Sequence, residues 1–515
     1  MIFGHLSLLA QEQTAQNPQD RVLWGANYRL SSKTSLGNIL GDDSAHFYML
    51  KYLGGGENMK SFLEQYDLKT LTLVNSTELP LVMNSGEDIK VETSWMVNDF
   101  IWIFTSFYNR KIDSLFSYSQ QFYLDGSQRG KRVLIDKIYV QSKKYIGDID
   151  FVLSVDSNNV LATYTPPVNK YEFEERSLKM LDKNNHALWI ENIELSHPSE
   201  YFQILKRVVP DSSHIYFLGV AYSNRVNASN KGHVKNTGKY MLFNYNLGER
   251  TLNEAQLALN GKYITSATMT VDKDKNLYII GLYSRTRSFT VSGAFYLKLD
   301  MKSGEVIEKG FSDFDKELLR QFISDKKVRN EKELDSFEIR ELFIDSIGQV
   351  TLVAEQYYIT TTTYTDPRSG HVIYTYYYHF NDVLIVKFGK DGRIMWGHRL
   401  PKQQQSLDDR GYYSSYAAVA YKDKLHIVYN DNPKNLQYNP DGGMTSIWQM
   451  DDPQKSVAVL STFIGDKGGE RRILFDAKEA DYIFNPNIIY RIDENNIILF
   501  AQGWKNYRFV RVRGE

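Results

Sequence analysis

Apolar and polar positions along this chain follow one phrase that recurs eight times. An apolar run stops at a short turn of Asp, Asn, Lys or Gly, and a second apolar run follows, ending in Tyr or a small residue. The clearest copy is Met269-Thr270-Val271-Asp272-Lys273-Asp274-Lys275-Asn276-Leu277-Tyr278-Ile279-Ile280-Gly281. The others turn at Asp42-Asp43-Ser44, Asn98-Asp99, Asp156-Ser157-Asn158-Asn159, Pro210-Asp211-Ser212-Ser213, Asp345-Ser346-Ile347-Gly348, Lys422-Asp423-Lys424 and Asp493-Glu494-Asn495-Asn496. Such turn residues tolerate the positive φ of a tight hairpin, so each phrase predicts a β-hairpin. Successive turns lie roughly 55 to 80 residues apart, at or somewhat above the scale of propeller blades.

The pattern therefore predicts an all-β propeller occupying residues 21–515 as a single domain. Blades are expected over residues 36–81, 91–139, 147–195, 201–259, 263–310 and 412–475, with the sixth between the last two. The eighth repeat begins near Asn485 and has room for three strands: Ile488 to Ile492, Ile497 to Gln502 and Tyr507 to Val512. An unclaimed strand at Arg21 to Leu30 can supply the fourth. Pairing first with last closes the ring and removes the exposed edges of the incomplete repeat. Strand counting favours eight blades; seven is the alternative if a weak repeat is not a blade.

Two insertions break the rhythm. Residues 313–336 read as a helix, with Phe314, Leu318, Phe322 and Ile323 on one face and Ser312 with Asp315 as an N-terminal capping box. Such a helix either packs over the propeller edge or is presented to a partner. The second insertion lengthens a blade-six hairpin over residues 357–380. Thr and Tyr dominate both arms, which favours extended strands, and Asp366-Pro367-Arg368-Ser369-Gly370 forms the tip. The hairpin either folds back over a neighbouring blade or serves as a docking arm. In the second case Tyr364, Arg368, Tyr374 and Tyr376 are the candidate binding residues, since aromatics and Arg are enriched at interface hot spots.

Composition narrows the field. Aromatics are 14% of the 515 residues, suiting strands, and a net charge of −1 offers no field to attract nucleic acid. The chain contains no cysteine, which excludes disulfides and thiolate metal sites. Residues 1–10 are apolar and end in Ala10, and polar residues follow to Asp20. This start resembles a secretory signal that lacks its basic end, with a polar leader behind it. The bland alternative is a short apolar strand. No later segment approaches about 18 uninterrupted apolar residues, so no transmembrane helix is expected.

Catalytic motifs are missing. There is no Gly-x-Ser-x-Gly elbow, phosphate-binding Gly-rich loop or His-Glu-x-x-His. His371 and His379 would share a side of the hairpin but lie too far apart to share an ion. Turn carboxylates at Asp42, Asp43, Asp156, Asp272, Asp274, Asp345 and Asp493 recur at corresponding positions. They read either as turn formers or as an acidic ring able to bind cations or glycans. No catalytic residue, catalytic metal or cofactor is expected; a structural calcium on such turns is the one admissible ion.

Tyr376 to Lys387, followed by Asp391-Gly392 and Trp396 to Gln404, resembles uncharacterised envelope propellers of Bacteroidota. The phrase at Asp272 to Gly281 resembles a widespread bacterial propeller repeat. The propeller that plugs the type IX secretion translocon is an alternative relative, without a residue-by-residue match. The resemblance implies fold and not activity. The expectation is a non-catalytic protein-interaction or scaffold module in the periplasm, at the cell surface or secreted, with another envelope protein as its partner. The rivals are a glycan-binding or glycan-cleaving propeller and a plug-like translocon subunit.

Overall fold

The computed structural model describes residues 22–55, 58–81, 88–140, 146–167, 173–198, 201–223, 235–301, 304–421, 423–437, 447–493 and 495–513. The apolar start and polar leader, residues 1–20, lie outside the described residues.

Eight antiparallel sheets, each with a four-stranded path, follow one another along the chain. They occupy residues 34–79, 90–139, 148–198, 202–257, 263–313, 338–400, 416–476 and 483–513, the last completed by residues 22–29. Every repeat is thus a blade, and the count is eight and not seven. In blade five the path runs Tyr263–Val271, Asn276–Ser284, Gly293–Asp300, Val306–Asp313.

The ring closes as strand counting requires. Val22–Trp24 pairs antiparallel with the last strand, Val22 opposite Val512 and Trp24 opposite Val510. Tyr28 and Arg29 then pair with Tyr507 and Asn506. Eight apolar clusters form the core, one at each interface between neighbouring blades. The closing cluster joins Phe47, Met49 and Tyr66 of blade one to Ile498, Phe500 and Phe509 of blade eight. First strands of adjacent blades touch at six of the eight junctions, that of blade eight meeting those of blades one and seven, so first strands surround the axis.

Second strands are sandwiched between two interfaces, and this explains their unbroken apolar runs. Ile279 faces the cluster shared with blade four, and Ile280 the cluster shared with blade six. Of the predicted core, Met269, Leu277 to Ile280 and Ile497 to Phe500 are buried, while Val271 at its strand end is only half-buried. Ile279 and Ile498 are fully buried. Replacing either by Ala is expected to cost about 2–5 kcal/mol through lost burial and the cavity left behind, read by urea denaturation.

The first insertion is two short helices, α1 (Lys316–Phe322) and α2 (Asp325–Arg329), where the sequence predicts one. Its N-cap is Asp315, whose carboxylate accepts from the Leu318 N–H at 2.8 Å. Ser312 is no capping partner, because the outer strand of blade five continues to Asp313 and sheet pairing claims it. Phe314 and Leu318 are buried against the interface of blades five and six, with Phe322 and Ile323 packed beside them. The helices lie over the propeller edge, one of the two arrangements their pattern allows.

Candidate functional site

The two ends of the disc differ. At one end lie the turns that join the first two strands of the blades, and three of them show how such a turn ties itself up. Asp272 accepts from the N–H groups of Asp274 and Asn276, Asp345 from those of Ile347 and Gln349, and Asp493 from those of Asn495 and Asn496. In these turns one carboxylate oxygen caps its own backbone, while the second oxygens of Asp272 and Asp345 take the Tyr278 hydroxyl and the Lys387 ammonium. Among the described residues, no three His, Cys, Asp or Glu gather in a group that could hold a metal ion.

The other end carries the long connections: the helical insertion, the blade-six hairpin and the loops around Tyr412 and Trp448. The hairpin consists of Val350–Thr365 and Val372–Phe388. Its root is covered, because Gln404–Leu407 pairs with Tyr377 to Phe380 as an extra strand. Asp408 bonds the backbone of Tyr376 just beyond the root, and past it no described strand pairs with the hairpin, whose side chains from Thr360 to Thr365 and from His371 to Tyr374 are exposed. At the tip the Asp366 N–H donates to the His371 carbonyl at 2.9 Å, and Gly370 has φ +69°. Asp366 also accepts from the Arg368 N–H and the Ser369 hydroxyl.

This register sorts the predicted binding residues. Directly opposed residues of an antiparallel pair point to the same side. Tyr374 lies opposite Thr363 and Tyr376 opposite Thr361, so the two tyrosines share a face. Tyr364, opposite Ile373, lies on the other face, and Arg368 sits at the tip between them. Tyr364 is 60% exposed, Tyr374 55% and Tyr376 41%. The structure therefore offers two small patches and not one.

A buried ionic network anchors the root. The Lys402 ammonium, wholly buried, donates to Glu355 Oε1 at 2.7 Å, to the Phe380 carbonyl at 2.9 Å and to Gln404 Oε1 at 3.0 Å. Glu355 Oε2 accepts from the Ser415 hydroxyl at 2.8 Å and pairs with Arg340 Nε at 3.3 Å. Arg340 also lies over the Tyr357 ring in the hairpin root. Gly411, at φ +80°, lets the loop pass over Phe380; a Cβ there would stand 2.3 Å from the ring. Burial lowers the pKa of Lys402 and raises that of Asp382, which Arg399 pairs at 3.0 Å.

Glu341 lies against this network. Burial, and then the negative charge of Glu355, push its carboxyl up to about 7, and its Oε2 is buried without a hydrogen-bond partner. Its ordinary value is 4.5, so the folded state binds the proton more tightly than the unfolded chain. Stability from this group is full below pH 4.5 and is lost as pH rises towards 7. A Glu341→Gln variant, neutral throughout, is expected to gain on the natural chain over that interval and hold a constant margin above it. The gain is roughly 3 kcal/mol, read by denaturant unfolding across a pH series.

A cleft of about 1120 Å³ opens on the same end, where blades one, two and three meet. Tyr52, Tyr108, Asp88, Glu92, Asp148 and Arg110 contribute to its wall. Glu92 is paired with Lys90 at 2.7 Å and accepts from the Ser106 hydroxyl. Sequence reasoning missed this cleft and the root network. It also missed Trp448 and Trp504, exposed at 55% and 88% in loops of blades seven and eight at this end. An available signal for Trp504 was its place in Gly503-Trp504-Lys505, a hairpin turn where a polar residue is the rule.

The arrangement of sheets makes this chain a β-propeller. No protein-family model and no curated protein matches it. Similar solved structures include an apocarotenoid oxygenase of Synechocystis, at 9% identity and TM-score 0.33 over 72% of this chain and 74% of that one. An ACO/RPE65 chimera aligns at 8% identity and TM-score 0.32, over 71% of each chain. Prolyl oligopeptidase B from Galerina marginata aligns at 11% identity and TM-score 0.41, over 92% of this chain and 55% of that one. At this distance none of them bears on activity.

Proposed function

We propose that this propeller is a non-catalytic protein-interaction module of the bacterial envelope, exported to the periplasm or cell surface, that docks another envelope protein through the blade-six hairpin. One observation carries the reading. The hairpin is pinned at its root by a buried network and bare beyond it, with Tyr364, Val372, Ile373, Tyr374 and Tyr376 exposed. A preorganised arm loses little freedom on binding, and apolar and aromatic side chains supply contact area. Export is supported by the cysteine-free composition and by the resemblance of Tyr376 to Gln404 to envelope propellers.

The test replaces residues 361–373 by a short Gly-Ser turn and compares cross-linked partners from the native envelope. The expected result is loss of the partner with the melting temperature held. A fall in stability with capture from the folded fraction unchanged would count against the docking arm. A second reading, glycan binding, is favoured by the carboxylates and tyrosines converging on the cleft of blades one to three. A glycan array separates the two: a hit that Tyr108→Ala abolishes and the hairpin replacement leaves intact would favour the glycan.

A further inference from the structure

The hairpin has a feature that its exposed side chains do not exhaust: a free backbone edge. Residues Tyr357 to Thr365 pair only with Val372 to Phe380; their other side meets no strand among the described residues. Hydrogen-bonded pairs alternate along an antiparallel ladder. Since Asp366 bonds to His371, the even-numbered residues of the first arm point their N–H and C=O groups into the hairpin. The odd-numbered residues Tyr357, Ile359, Thr361, Thr363 and Thr365 point theirs outward.

Exposed edges are normally defended by charge, Pro or a bulge within the strand. Tyr357-Tyr358-Ile359-Thr360-Thr361-Thr362-Thr363-Tyr364-Thr365 contains no charged residue, Pro or Gly. Its β-branched and aromatic residues are those that favour strand pairing. The stretch is also close to a palindrome about Thr361. Laid antiparallel on a copy of itself with the two-fold axis at Thr361, it sets Thr360 against Thr362, Ile359 against Thr363 and Tyr358 against Tyr364. The outward-pointing set has the same symmetry: Thr361 meets Thr361, Ile359 meets Thr363 and Tyr357 meets Thr365. Every outward donor and acceptor then finds a partner, with no like charges opposed.

We infer that the free edge of the blade-six hairpin pairs with the same edge of a second copy of this chain, in a two-fold interface centred on Thr361. The inference deepens the reading of the hairpin as a docking element and rests on it. A two-fold interface uses one patch twice and so needs a self-complementary edge, which this is. Each arm stands roughly 30 Å long at ~3.4 Å per residue, enough to bring two edges together beyond the rims of the discs. The Tyr374 and Tyr376 faces of the two copies would join into one aromatic surface, doubling the area offered to any further partner.

The absence of cysteine allows a direct test. In a hydrogen-bonded antiparallel pair the Cα atoms stand about 5.5 Å apart, within disulfide reach. Thr361→Cys is expected to give a cross-linked dimer on mild oxidation, and Thr365→Cys alone to give none. Mixing Thr365→Cys with Tyr357→Cys should restore the link. In sedimentation velocity the natural chain is expected to dimerise with concentration. Thr361→Pro should weaken the dimer at least tenfold with melting unchanged, because the lost N–H points outward and serves no bond within the hairpin. A dimer untouched by Thr361→Pro overturns the inference, as does equal cross-linking at positions 361 and 365. A monomer at every concentration whose partner capture is lost in Thr361→Pro assigns the edge to a strand of a different protein. That outcome overturns the second copy and leaves the docking arm standing. A monomer that still captures its partner after hairpin replacement overturns both.

Discussion

Lys402→Met is expected to destabilise the protein by about 3–5 kcal/mol, the range for removing one partner of a buried ion pair. The side chains of Lys402 and Glu355 are both wholly buried and meet at 2.7 Å. Met fills similar space but leaves Glu355 with only the Ser415 hydroxyl and Arg340, itself a third exposed. The Phe380 carbonyl loses the ammonium in the same step, and Gln404 Oε1 keeps only the Ser415 N–H. Adding Glu355→Gln should recover part of the loss, since a neutral amide costs less to bury than an unpaired carboxylate. Urea denaturation of both variants measures this. A loss under about 1 kcal/mol for Lys402→Met would show that the network contributes little to stability. The same substitution should speed hydrogen exchange at Phe380, the residue through which the network grips the hairpin.

Removing residues 1–30 is the second large effect, expected to cost more than roughly 5 kcal/mol because it adds the loss of a whole strand to that of a large, half-buried ring. Blade eight would lose its outer strand, and the edge of the last strand would be left open. Trp24 packs on Phe475 and Tyr482, with Arg508 over its ring. Tyr28 holds blade one as well: its hydroxyl accepts from the Leu73 N–H at 2.6 Å. Trp24→Ala alone should cost about 2–4 kcal/mol, less than a fully buried ring, since Trp24 is half-buried. Calorimetry of the truncated chain decides the point: melting within a few degrees of the full chain would mean that this strand does not close the ring.

Much of the fold was legible because of where strands sit. A second strand pressed between two neighbours needs apolar residues on both faces, so Leu277 to Ile280 reads as an unbroken run. Its turn reads as clearly, because Asp272 carries the capping carboxylate itself. The closing strand was visible only as a deficit, three strands where four were due. The site was less legible. Glu355 and Lys402 lie 47 positions apart, and each looks alone like a surface charge; only pairing across the blade buries them together. That Tyr364 faces away from Tyr374 depends on the register set at the Asp366–His371 bond, and a shift of one residue would reverse it. The N-cap moved from Ser312 to Asp315 because a sheet took the earlier residue. The cleft draws on three blades, and no single stretch of sequence displays it.

Joining Val22 to Val512 also sets the order of events in folding. Seven blades are built from neighbours in sequence and can form as local hairpins do, within microseconds to milliseconds. The eighth waits for the two most distant strands of the molecule to meet. Until they do, the nascent disc is an open arc, with Phe47 and Met49 at one end and Ile498 and Phe500 at the other facing water. During that interval the strand from one molecule can enter the last blade of another, and at high concentration the chains are expected to exchange this element instead of closing on themselves. The seam that completes the last blade of the ring is therefore the step at which its assembly is most sensitive to crowding by its own kind.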